Sequence, residues 1–125
     1  MPRTIVLVVE DDPMNRLLAV DALERSGFEV VDFSNADAAA LYANQGAENI
    51  VALLADVNVP GECDGLDFAA DFARRWPEKF VLVTSGCTRD DVMAGLPTSI
   101  DFLPKPWTAK MLMDRIAAAR PGGAA

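Results

Sequence analysis

The chain reads as an α/β protein, a doubly wound parallel sheet covered by helices on both faces. Two observations predict this. Five short, mainly apolar runs recur along the chain, and two of them, Ile5–Val9 and Ile50–Ala55, are continuous in character as strands buried on both faces are. Between most of them lie stretches with helical spacing, and strands alternating with helices form right-handed βαβ units around a parallel sheet.

The first run is Ile5-Val-Leu-Val-Val9, rich in β-branched residues. Pro13 suits the first turn of a helix that runs to about Ser26, where Gly27 stops it. Met14, Leu17, Leu18 and Ala22 fall on one face of that helix and are its expected buried side. Phe28 to Phe33 is the second strand. Ser34 or Asn35 caps an alanine-rich helix that ends near Gly46. Ile50 to Ala55 is the third strand. From Gly65 to Trp76, the residues Leu66, Ala69, Ala70 and Ala73 match the i, i+3, i+4, i+7 pattern, with Pro77 just beyond. Phe80 to Val83 is the fourth strand and Ile100 to Leu103 the fifth. Arg89 to Ser99 contains Gly95 and Pro97, so a short or irregular fourth helix is expected there. Thr108 caps a last helix to about Arg120.

A length of 125 residues, 51% of them hydrophobic, suits one domain with a real core. Residues 1–120 are taken as that domain and 121–125 as a flexible Gly/Pro-rich tail. The net charge of −8 argues against nucleic acid or an anionic membrane as the direct partner. Histidine is absent, which excludes Ser-His-Asp and Cys-His catalysis and histidine metal ligands. Cys63 and Cys87 form no CxxC pair and no disulfide framework, so a reducing cytoplasm is the expected setting. No apolar stretch approaches a membrane span, and the opening residues do not resemble a signal peptide.

In an open α/β sheet, ligands bind beyond the carboxyl ends of the strands. The first strand ends in Glu10-Asp11-Asp12, the third in Asp56, the fourth in Thr84-Ser85 and the fifth in Lys105-Pro106. Taken singly, each is an ordinary polar strand end. Together they make one crevice of acids with a hydroxyl and an ammonium beside it. Two carboxylates about 5 Å apart repel by roughly 3 kcal/mol at an effective dielectric of 20, so three need a counter-charge. Lys105 supplies one. Oxygen-only ligands point to a hard divalent ion for the rest, Mg2+ above all. Such a site could hold a phosphoryl group, its oxygens screened by the metal and Lys105 and hydrogen-bonded by Thr84.

These residues resemble a response-regulator receiver domain, the CheY-like phosphoacceptor of two-component signalling. The resemblance runs from Ile5 to about Arg120. It rests on Glu10-Asp11-Asp12-Pro13, on Asp56-Val-Asn58-Val-Pro60 followed by Asp64-Gly65-Leu66, on Val83-Thr84-Ser85-Gly86, and on Phe102-Leu-Pro-Lys105-Pro106-Trp107. It implies the flavodoxin-like strand order 2-1-3-4-5. Strand five then lies at an edge, where Pro104 can be tolerated. It implies that Asp56 is the phosphoacceptor, a nucleophile toward phosphohistidine on a sensor histidine kinase or phosphotransfer protein. Asp11 would bind Mg2+ directly, Glu10 through water and Asn58 through its backbone carbonyl. Thr84 would be the switch hydroxyl, Lys105 the partner of a phosphoryl oxygen and Phe102 the aromatic switch residue. Lys105-Pro106 is expected to be cis. Asp12 is not assigned as a ligand. The output would pass through protein contacts to a target that the sequence does not name.

The chain departs from the family's pattern in places. The loop Val59 to Asp64 is slightly long, and Phe102 replaces the frequent tyrosine, keeping the ring without its hydroxyl. Trp107 could be an exposed docking residue or pack under the last helix. Met111, Leu112, Met113 and Ile116 read as core with some spill-over. A redox role for the two cysteines is conceivable, ordinary small residues being the other reading. Besides the phosphoacceptor switch, which is not an enzyme in its own right, two other functions were weighed. One is a degenerate receiver kept as an interaction module, against which the intact Glu10, Asp11, Asp56, Thr84 and Lys105 speak. The other is an Asp-nucleophile phosphatase, whose second aspartate is here Asn58.

Overall fold

The computed structural model describes residues 4–57, 64–86, 92–94 and 96–121. Five strands, β1 (Ile5–Val9), β2 (Glu29–Phe33), β3 (Ile50–Asp56), β4 (Phe80–Ser85) and β5 (Ile100–Pro104), form one parallel sheet in the order β2-β1-β3-β4-β5. Among the described residues, the helices around it are α1 (Pro13–Arg25), α2 (Ala36–Gln45), α3 (Asp64–Arg75) and α4 (Ala109–Ala119). The doubly wound sheet and its order match the sequence reading. β5 pairs only with β4, which leaves Pro104 at an edge where its missing N–H breaks no ladder.

Local chemistry fixes the helix ends. Asp12, Asn35 and Thr108 cap α1, α2 and α4, each side chain accepting a backbone N–H of the first turn. Asn35, rather than Ser34, is therefore the cap of α2. Beyond α1, Gly27 takes a φ of +96°, a conformation a side chain would oppose. Of the expected fourth helix, Val92 and Met93 are helical and Ala94 is in a turn. Residues 87–91 and 95 lie outside the described residues, as do Asn58, the loop 59–63 with Cys63, and the tail 122–125.

The strands' alternation divides the core into two layers. Ile5, Leu7 and Val9 face one side with Leu53, Val81, Val83 and Phe102, covered by Ala39 and Ala43 of α2 and Ala69, Phe72 and Ala73 of α3. Val6, Val8, Leu54, Leu82 and Leu103 face the other, covered by Ala19, Ala22 and Leu23 of α1 and Leu112 and Ile116 of α4. Trp107 is buried in this second layer, so it packs with the last helix. Met111 is the spill-over of α4, on its exposed side.

One expectation is overturned. Met14, Leu17 and Leu18 do not form the buried face of α1: they are 72%, 64% and 38% exposed. Of the expected face Ala22 is buried, and Ala19 and Leu23 are buried with it. Apolar residues lie on both sides of this helix, so spacing alone does not choose between two equally regular stripes. The sheet takes Ala19 and Ala22, whose small side chains allow close approach, together with Leu23, and Met14, Leu17 and Leu18 face outward.

Two substitutions test this division. Phe72→Ala should cost about 3–5 kcal/mol in denaturant unfolding, because it empties a fully enclosed aromatic site. Leu17→Ala should stay within about 0.5 kcal/mol of the parent.

Candidate functional site

The carboxyl ends of β1, β3, β4 and β5 meet at one edge of the sheet. Backbone bonds carry the ladder past the strands and fix the site's frame. Glu10 N–H donates to Phe33 O (3.0 Å), Val57 N–H to Thr84 O (2.9 Å) and Lys105 N–H to Ser85 O (2.9 Å). Asp56 is the last residue of β3 and lies in register with Thr84. The Lys105–Pro106 peptide bond is cis.

Glu10, Asp11 and Asp56 come together, each offering a carboxylate oxygen within 4.8 Å of the others. Glu10 and Asp56 are buried, whereas Asp11 is exposed. Lys105 Nζ reaches Asp56 Oδ1 at 2.8 Å and Glu10 Oε1 at 3.8 Å. Asp56 Oδ1 is enclosed and, apart from this ion pair, has no well-directed hydrogen bond among the described residues. The Thr84 hydroxyl, also enclosed, has no hydrogen-bond partner among them. Buried polar atoms without a hydrogen-bond partner are costly, which makes each a candidate contact for a ligand atom. Three oxygen donors beside two under-satisfied oxygens fit a hard divalent cation and an oxyanion.

Asp12 stands apart. Its carboxylate accepts the Met14 N–H at 3.0 Å as the cap of α1, and its own N–H donates to Glu10 Oε2 at 3.1 Å. Phe102 is buried in the core from β5, in register with Val83 of β4.

The electrostatics follow from this crowding. Burial, followed by the hydrogen bond with Asp56, pushes Glu10 from 4.5 up to about 8, against the opposing pull of the Asp12 N–H and Lys105. For Lys105, burial acts to lower the pKa. The hydrogen bond and charge of Asp56, with the charges of Glu10 and Asp11, outweigh it and leave the ammonium raised.

One contributor escaped the sequence reading. Arg16 Nη1 donates to the backbone O of Glu10 at 2.9 Å, and its Nε lies 3.3 Å from Asp32 Oδ2. The available signal was an arginine one turn into the helix that follows the acidic strand end.

Comparison with known proteins agrees with this geometry. The family profile of the response regulator receiver domain matches residues 6–117. The hydrogenase transcriptional regulatory protein HoxA of Cupriavidus necator is 34% identical over 121 residues, 91% of this chain and 23% of that protein. The sensor protein TorS of Escherichia coli is 28% identical over 90% of this chain and 12% of its own length. The chain thus spans less than a quarter of either relative. Among solved structures, the receiver domain of the hybrid histidine kinase CckA aligns with a TM-score of 0.73 at 29% identity, covering 92% of this chain and 97% of that one. The chemotaxis protein CheY4 of Vibrio cholerae aligns with a TM-score of 0.75 at 20% identity, covering 94% and 98%, a likeness of fold. With the matching profile spanning nearly all of β1 through α4, the chain belongs to the response regulator receiver domains of two-component systems.

Proposed function

We propose that the chain is a Mg2+-dependent phosphoacceptor switch in which Asp56 takes a phosphoryl group from phosphohistidine on a sensor kinase or phosphotransfer protein. One observation carries the reading: the enclosed Asp56 carboxylate lies between an ammonium and two further acids, in register with an unpartnered buried hydroxyl. Glu10, Asp11 and Asp56 would hold the metal, with Asn58 assigned by family resemblance. Mg2+ bound there would neutralise charge on the phosphoryl oxygens.

The ionised Asp56 attacks phosphorus. A P–O bond forms as the P–N bond breaks, and the electron pair leaves with the imidazole. Lys105 stays protonated throughout, since its raised pKa holds the proton. The acyl phosphate carries about −1.5 to −2 charge where a carboxylate carried −1, so Lys105 gains a stronger partner. Thr84 gains the acceptor that its hydroxyl lacks. Both residues sit on the β4–β5 side, so that side of the sheet responds first. Phe102 of β5 lies there, in one apolar cluster with Val92, and would pass the change to a protein target.

The donor's docking surface also has a physical candidate. Met14, Leu17 and Leu18 are exposed on the first two turns of α1, directly after the acidic residues. Three exposed apolar side chains grouped at the rim of the site would suit contact with a protein donor.

Three outcomes follow. Incubation with acetyl phosphate and Mg2+ should add one phosphoryl group by intact mass, and none to Asp56→Asn or with EDTA present. If the wild type stays unmodified and also fails to bind beryllofluoride with Mg2+, the chain is an interaction module instead. Leu17→Asp should slow transfer from a phosphohistidine protein by about ten-fold or more, as loss of an apolar anchor does, while acetyl phosphate labelling stays unchanged. The raised pKa of Glu10 means that the folded state binds the extra proton between pH 4.5 and about 8. Without divalent cations, the stabilisation from that proton is complete below pH 4.5 and is lost as pH rises through about 8. Melting curves in EDTA should show this decline, and Glu10→Gln should flatten it.

A further inference from the structure

Arg16 joins three elements at the acidic corner. It lies on α1, donates to the carbonyl oxygen of Glu10 at the end of β1, and pairs with Asp32 of β2. Its side chain is only 25% exposed. The carbonyl it holds belongs to the Glu10–Asp11 peptide plane. Fixing that oxygen therefore fixes the N and Cα of Asp11 as well. The other side of Glu10 is held too, since its N–H donates to Phe33 O. Asp11 itself is exposed, so packing constrains its carboxylate little and the placement of its backbone matters more.

We propose that Arg16 is a positioning residue of the cation site, clamping the Glu10–Asp11 peptide so that the Asp11 carboxylate faces Asp56. The proposal rests on the reading of Glu10, Asp11 and Asp56 as a divalent-cation site. It also decides between two opposed effects. As a cation, Arg16 should repel a metal, so removing it should tighten binding. Its charge, however, is matched by Asp32 at 3.3 Å, and such a pair exerts little field at a distance. Positioning outweighs repulsion. The planar fork matters because one guanidinium spans a carbonyl and a carboxylate, which a lysine ammonium cannot do in the same geometry.

The test is Mg2+ titration by calorimetry, paired with acetyl phosphate labelling at varied Mg2+. Arg16→Met should weaken Mg2+ binding about ten-fold, as loss of an outer-shell partner does. Labelling at saturating Mg2+ should recover to within about two-fold of wild type, because the loss lies in binding and not in the transfer step. Arg16→Lys keeps the charge without the fork and should fall between the two. It also decides the matter if Arg16→Met does not fold. Unchanged or tighter binding in the folded variants, beside a wild type that binds and is labelled, would overturn the role of Arg16 alone. A wild type that neither binds Mg2+ nor is labelled would remove the cation site, and the clamp with it.

Discussion

The mutual repulsion of three carboxylates governs this molecule's functional edge. Glu10, Asp11 and Asp56 offer oxygens within 4.8 Å of one another, and each ionised pair at such a distance costs about 3 kcal/mol at an effective dielectric of 20. The fold answers in three ways. Lys105 places an ammonium against Asp56 and near Glu10. Glu10 retains its proton well above the usual carboxylate range. The remaining negative charge stands at the open edge, where Asp11 meets solvent. A site so arranged could hold a divalent cation.

The scaffold makes that crowding possible. In a parallel sheet all the strands point the same way, so the residues following β1, β3, β4 and β5 gather at one edge despite lying far apart in sequence. Two apolar layers, one on each face, hold the strands rigid beneath them. Small alanines on α1, α2 and α3 bring the helices close, and Phe72 fills the space that α3 leaves. The site's own frame is extended by ladder bonds beyond the strand ends, so Glu10, Val57 and Lys105 have fixed backbones.

Charge and packing also divide the surface around the site. On the α1 side, Arg16 and Asp32 form a pair that braces the acidic loop, and outward-facing Met14 and Leu17 leave apolar surface next to it. On the β5 side, Arg115 of α4 donates to the Phe102 carbonyl and pairs with Asp101 at 3.3 Å, which ties the edge strand to the last helix. The proposed donor contact and the proposed output would thus lie on opposite flanks of Asp56.

Much of this was legible in the sequence. The short apolar runs marked the five strands, and the two that are apolar throughout, Ile5–Val9 and Ile50–Ala55, are central strands buried on both faces. The polar residues that end those runs named the acids, Thr84 and Lys105, since a parallel sheet must bring its carboxyl ends together. Caps such as Asn35 and Thr108 were readable because a side chain bonding its own helix's first turn is a local event. The tertiary structure alone decided the rotation of α1, where apolar residues on both sides left the periodicity degenerate until the sheet took Ala19, Ala22 and Leu23. It alone assigned Trp107 to the core, and it alone revealed Arg16. That arginine's partners are a backbone carbonyl six residues back and a carboxylate sixteen residues ahead, and only the packing of α1 against the β1–β2 edge makes them neighbours.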